Sequence, residues 1–159
     1  MPSPADATIR ASIAAALAVG APNAVVYSWW VLGADENEWP GLLRSSNDLD
    51  TNGRKRVHGY VITRRESTGE FQGNNRVARR SYQYMIVGFH YYSTGTSASN
   101  SEATFTAEID AITDELDDKS GLDANLQRIQ PVSWFFDLKP IGGELLHIVR
   151  GTLTVEPCG

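Results

Sequence analysis

The run Asp48-Leu49-Asp50-Thr51-Asn52-Gly53 begins like an EF-hand loop. In such a loop, side-chain oxygens at alternate positions face one cation and a glycine makes the sharp turn. The match then fails: the twelfth position is Gly59, where a bidentate Glu is needed, and Arg54, Lys55 and Arg56 would repel a cation. The segment therefore reads as a turn rich in Asp and Asn. His58, His90 and His147 fall on expected strands with no close-spaced ligand pair, so zinc would need convergence from distant segments. Hydrogen-bonded or exposed strand histidines are the expectation. Asp35, Glu36 and Glu38 share a loop with no partner to raise a pKa, and Cys158 has no adjacent helix start or base to activate it. There is no Gly-rich phosphate loop, G-x-S-x-G or dinucleotide fingerprint. These residues lead us to expect a non-enzyme with no metal and no cofactor.

Charge is what the sequence sorts most clearly. Residues 54–80 hold Arg54, Lys55, Arg56, Arg64, Arg65, Arg76, Arg79 and Arg80 against only Glu66 and Glu70. Residues 102–118 hold Glu102, Glu108, Asp110, Asp114, Glu115, Asp117 and Asp118 with no base. Fourteen Lys+Arg against 19 Asp+Glu make the whole chain acidic, which argues against bulk nucleic-acid binding. One positive and one negative segment suit contact with further copies of the chain or with an acidic partner. The alternative is that both are solvated faces.

The elements that must position these residues follow from periodicity. At 159 residues, 42% of them hydrophobic, one domain over residues 1–159 with a sizeable core is expected. No run reaches the roughly 20 apolar residues of a membrane helix, and the N-terminus reads as a helix, not a signal peptide. Ser3 can cap that helix, Pro4 suits its first position and Asp6 sits where a reciprocal cap would. Ile9, Ile13 and Leu17 form its apolar stripe, and Gly20 and Pro22 end it. Residues 23–33 are β-branched and aromatic on both faces, which reads as a strand buried on both sides or at a subunit contact. Residues 34–55 read as a long polar loop. Residues 57–64 and 78–93 read as the two strands of a long hairpin with residues 66–75 at its tip.

A Ser-rich linker follows, with a capping box from Ser99 to Glu102. Phe105, Ile109, Ile112 and Leu116 then trace the apolar face of a second helix, closed by Lys119 and Gly121. Alternation at residues 132–138 and 145–155 gives two last strands around a turn at 140–143. The expected fold class is α+β: an antiparallel sheet in the order α-β-β-β-α-β-β, both helices on one face, with a long hairpin and extended loops.

Several segments together resemble a known family. They are His58-Gly59-Tyr60-Val61-Ile62-Thr63-Arg64 with its Gly/Asn-rich tip, and Tyr82-Gln83-Tyr84-Met85-Ile86-Val87-Gly88-Phe89. The Ser-rich linker into Phe105-Thr106-Ala107-Glu108-Ile109-Asp110-Ala111-Ile112 and the ending Gly142-Gly143-Glu144-Leu145-Leu146-His147 complete the pattern. The chain, over residues 5–156, resembles the small neck and tail-completion proteins of tailed bacteriophages, the tail terminator group. The resemblance rests on element order and scattered residues.

It implies a virion structural protein, assembled in the host cytoplasm, that forms a homohexameric ring on the last ring of tail tube protein. Such a ring ends tube polymerisation and presents a surface to the head-side connector or stopper. In contractile tails the sheath top is a further partner, and genome DNA is only passing cargo. The family brings no catalytic residues. Its contacts, spread over loops and sheet edges, match no single position. The charged residues Arg54, Lys55, Arg56, Arg64, Arg65, Arg76, Arg79, Arg80, Glu108, Asp114, Asp117 and Asp118 are the candidates for contacts between subunits or with tail and connector.

The alternatives are another neck adaptor, such as a head-completion or stopper protein, and a small nucleic-acid-binding module or enzyme. Tyrosines near Arg could form a single-strand platform. However, Tyr82, Tyr84 and Tyr92 share one strand face and Tyr91 the other, so some must face the core.

Overall fold

The computed structural model describes residues 4–72, 77–94, 100–117, 126–128 and 131–157. Ser3, the hairpin tip at 73–75, Arg76, Ser99, Asp118, Lys119, Gly121 and Cys158 lie outside the described residues.

Helix α1 (Pro4–Gly20) carries the stripe Ile9, Ile13 and Leu17, every one fully buried. Helix α3 (Ser101–Asp117) carries Phe105, Ile109, Ile112 and Leu116, at most 2% exposed. At its start the Asn100 side chain accepts the Glu102 N–H, so Asn100 acts as a cap. Both helices close over one sheet face, where Tyr60, Ile62, Tyr84, Ile86, Val149 and Leu153 share their core. Every second strand residue lies on that face, as a two-residue side-chain period requires.

Seven strands form the sheet among the described residues, in the order β1-β3-β4-β7-β5, with β2 beside β3 and β6 beside β7. They are β1 (Val25–Tyr27), β2 (Arg44–Leu49), β3 (Lys55–Gln72), β4 (Val77–Tyr91), β5 (Leu126–Arg128), β6 (Ser133–Ile141) and β7 (Glu144–Pro157). The fold is α+β, but the sheet is mixed where an antiparallel one was expected: β1 runs parallel to β3, with Val25 opposite Gly59 and Tyr27 opposite Val61.

The expected strand over residues 23–33 stops after three residues. Arg10, from α1, donates to the Ser28 carbonyl at 2.8 Å and covers the Trp29 ring, with its guanidinium 4.1 Å from the ring centroid. A side chain thus takes the acceptor that a ladder would use. Trp29, Trp30 and Val31 are 49%, 44% and 40% exposed instead of buried on both sides.

The long loop expected at 34–55 is also corrected. It folds into a 3-10 turn (Glu36–Glu38), a short helix α2 (Trp39–Leu42) and strand β2. The Trp39 indole donates to the Gly33 carbonyl, and its ring meets Phe89 edge-on at 6.0 Å. This segment covers the other sheet face, where Leu32, Leu43, Val57, Val61, Val87, Phe89, Ile141, Leu146 and Ile148 form a second core.

The hairpin is longer than its sequence suggests. Pairing runs from His58 opposite His90 to Gln72 opposite Val77, across an irregularity between Arg64 and Glu66. Residues 66–72, read as part of the tip, are ladder. In that ladder Glu70 is the register partner of Arg79 and Phe71 that of Ala78. Gly88 has a local reason: its register partner Tyr60 lies across it, and a Cβ there would come within 2.5 Å of the ring. Gly142 and Gly143 turn the last hairpin at φ 59° and 81°, a geometry that suits a tight two-residue turn.

Candidate functional site

The segment with EF-hand spacing does not gather oxygens. Asp50 accepts the backbone N–H groups of Asn52 and Arg54 at 2.8 and 2.9 Å, an Asx-type turn. Those bonds hold its carboxyl below the usual carboxylate range. Asp48, at the end of β2, points elsewhere: its oxygens meet His58 Nδ1 at 2.8 Å and the Arg56 guanidinium at 3.3 Å. Among the described residues no group of three His, Cys, Asp or Glu is placed to hold a metal ion.

The histidines, far apart in sequence, are brought side by side. His58 on β3 is the register partner of His90 on β4, which is the register partner of His147 on β7. The His58 and His90 rings meet at 4.8 Å, those of His90 and His147 at 6.3 Å. Phe105 of α3 covers His90 at 5.0 Å.

His58 is the centre of this cluster. Its Nδ1 faces Asp48, and its Nε2 lies 2.8 Å from both carboxylate oxygens of Glu108, on α3. Glu108 also accepts the Tyr60 hydroxyl. Burial alone would depress the imidazole, but bonds and charge from Glu108, then from Asp48, outweigh it and raise its pKa. With both nitrogens facing carboxylates, the doubly protonated ring fits as a clamp between β2, β3 and α3. Tyr60 is pushed well up by burial and by Glu108.

The neighbouring histidines are neutral by environment. His90 is depressed to about 4 by burial and by the charge on His58, and its Nδ1–H donates to the Tyr91 carbonyl. His147 is also lowered by burial. Its Nε2 lies 2.8 Å from Ser101 Oγ, the spacing of a nucleophile and its base. Yet that hydroxyl is 1% exposed, donates to the Ser93 carbonyl and accepts the Ser93 N–H. The pair fastens the start of α3; it offers no exposed nucleophile.

The charged candidates separate into several places. Arg54, Lys55 and Arg56 line an open groove of about 540 Å³ with Arg44, Asp50 and Tyr91. Arg56 lies over the Tyr91 ring at 4.5 Å, and Arg44 pairs with Glu144 at 2.7 Å. Arg64 turns to Asp6 at 3.6 Å and to the Tyr82 ring. Arg65 reaches the Met85 sulfur, Arg80 is exposed, and Arg79 lies on β4. Arg76 and Asp118 lie outside the described residues. On α3, Asp114 is exposed and Asp117 half-buried, while Glu108 is no outer contact because His58 and Tyr60 occupy it. Asp6, expected as a cap, is instead 5% exposed and holds Arg10 and Tyr84.

Sequence reasoning missed Asp48, His58, Tyr60, His90 and Glu108 as one cluster. The available signal was parity: 58, 60 and 90 share the helix-facing side of the hairpin, but their register depends on the irregularity near Arg64. No protein-family signature matches the chain, and no curated protein is significantly similar to it.

Proposed function

We propose that this chain is a structural subunit of a bacteriophage neck. Copies assemble as a ring at the head-proximal end of the tail tube, end tube polymerisation and join the tail to the head-side connector. The reading comes from the residue resemblance over residues 5–156. The observation that carries it in three dimensions is that one subunit exposes two unlike charged surfaces. Glu102, Asp110 and Asp114 lie along the outside of α3, whereas Arg54 and Lys55 sit in the groove beside β2, with Arg65 and Arg80 along the hairpin. A ring is closed by heterologous contacts, in which one patch meets a different one, and opposite charge gives those patches a direction. The long hairpin β3–β4 is a candidate axial contact with tube or connector.

The test is light scattering and negative-stain imaging of the purified protein, alone and with tube protein. Rings, and tubes capped at one end, are the expected result. A strictly monomeric protein that never caps tubes sinks the reading, and a position above the tube end in a particle map reassigns the chain to a stopper. Reversing Arg79 and Arg80 to Glu is expected to weaken assembly more at low salt than at high salt, where screening already removes the attraction. Unchanged assembly at both ionic strengths makes the basic segment a solvated face.

A further inference from the structure

An edge strand leaves a row of N–H and C=O groups unpaired, and proteins usually blunt it with charge, proline, a bulge or a cover. Two edges of this sheet are only partly blunted. Among the described residues β6 pairs with β7 alone; Asp137, Lys139 and Pro140 all lie in its second half, and residues 133–136 carry no charge and no proline. Phe135, Phe136 and Leu138 on it are 65%, 48% and 45% exposed. At the other end of the sheet β1, three residues long, pairs among the described residues with β3 alone, and no charged residue occurs from 23 to 34. There Trp29, Trp30 and Val31 form the second exposed apolar run.

We propose that these edges are the two halves of one contact. β6 of one copy lies beside β1 of a second copy, with the exposed run 29–31 flanking the joint, and the sheet continues from subunit to subunit. Strand direction supports this. β1 is parallel to β3, β3 antiparallel to β4, β4 to β7 and β7 to β6. β6 therefore runs opposite to β1, and copies joined head to tail bring the two together as an antiparallel pair.

The faces agree as well. Phe136, the register partner of Val149, lies on the helix side, as does Trp29 over Arg10. Phe135 lies on the opposite side, as does Trp30 against Trp39. Each edge thus offers an aromatic side chain to the same face of its neighbour. Six side chains exposed by two-fifths to two-thirds, at about 200 Å² apiece, offer on the order of 600 Å². That is about half of the ~1,200 Å² of the smaller stable interfaces, with edge backbone and flanking side chains to supply the rest. A symmetric β6–β6 pair would leave the β1 edge open in both copies; the head-to-tail pair covers both the β6 and the β1 edge of every copy once a ring closes.

The contact is one way of building the proposed ring, but it rests on the sheet and not on the phage assignment. Two variants test it: Phe135→Lys with Leu138→Lys blocks the β6 edge, and Trp30→Lys with Val31→Lys blocks the other. Sedimentation follows each alone and mixed, with circular dichroism to check the fold and Phe135→Ser and Trp30→Ser as milder substitutes. Each variant alone is expected to lose all assembly. The equimolar mixture is expected to recover a one-to-one dimer, through its one intact pair of edges, and nothing larger. If either variant assembles like the unaltered chain, if the mixture stays monomeric, or if the unaltered chain never self-associates, the contact is wrong. Assembly with this pattern but without capping of tail tubes keeps the contact and removes the phage reading.

Discussion

Each long helix sends one acid down onto one buried tyrosine of the sheet. Asp6 of α1 accepts the hydroxyl of Tyr84, and Glu108 of α3 accepts that of Tyr60. Both tyrosines are fully buried, and both acids also hold a base. The base differs. Asp6 binds Arg10, whose guanidinium stays charged at any ordinary pH. Glu108 binds His58, which titrates. The connections differ too. Arg10 donates onward to the carbonyls of Ser28 and Ile62, fixing where β1 ends. His58 faces a second carboxylate, Asp48, and so ties β2 to α3. One arrangement thus gives a permanent fastening under α1 and a pH-dependent one under α3.

The sharpest way to break this comparison is to remove each acid. Asp6→Ala strands a guanidinium whose residue is 8% exposed, together with a buried hydroxyl, and should cost about 3–5 kcal/mol of unfolding free energy. Glu108→Ala should cost less, about 2 kcal/mol, because His58 keeps Asp48 and is able to lose its proton. Denaturant melts at neutral pH give both numbers. Equal losses would mean that the titratable base gives α3 no relief, and the distinction between the fastenings would fall.

The helices were legible in the sequence because a stripe such as Ile9, Ile13, Leu17 is local information. So was the last hairpin, bracketed by Gly142 and Gly143. Where β1 ends was not legible, because a side chain from another element, Arg10, decides it. Nor was the packing of the 34–55 segment, whose polar residues conceal Trp39 and Leu43 facing the second core. The histidine cluster required a register that slips near Arg64, and one residue of error would send His58 to the opposite face. Glu108, counted with the acids of α3, turns inward because position 108 adjoins the buried 105 and 109 on that helix.

Titration should sharpen the contrast most finely, with an amplitude below that of the Glu108 truncation. His58 has a raised folded pKa, so its contribution is complete below the unfolded value near 6.5 and is lost as pH rises through the higher folded value. Unaltered protein should therefore exceed His58→Gln by a constant margin in mild acid, and the margin should shrink in alkali. Asp6 is shifted the other way, with burial outweighed by Tyr84 and Arg10. Its margin over Asp6→Asn should hold above about 3.8 and fade as pH drops through the folded value.

His90 is an internal control of opposite sign. It is depressed to about 4, so its neutral form contributes above about 6.5 and that contribution is lost as pH falls toward 4. The margin over His90→Gln should therefore grow with pH where the His58 margin is flat. Because the charge on His58 helps to hold His90 down, His58→Gln should also raise the His90 titration seen by NMR. A His90 titration unmoved in that variant would mean that burial alone sets it, and that the two rings 4.8 Å apart are electrostatically independent.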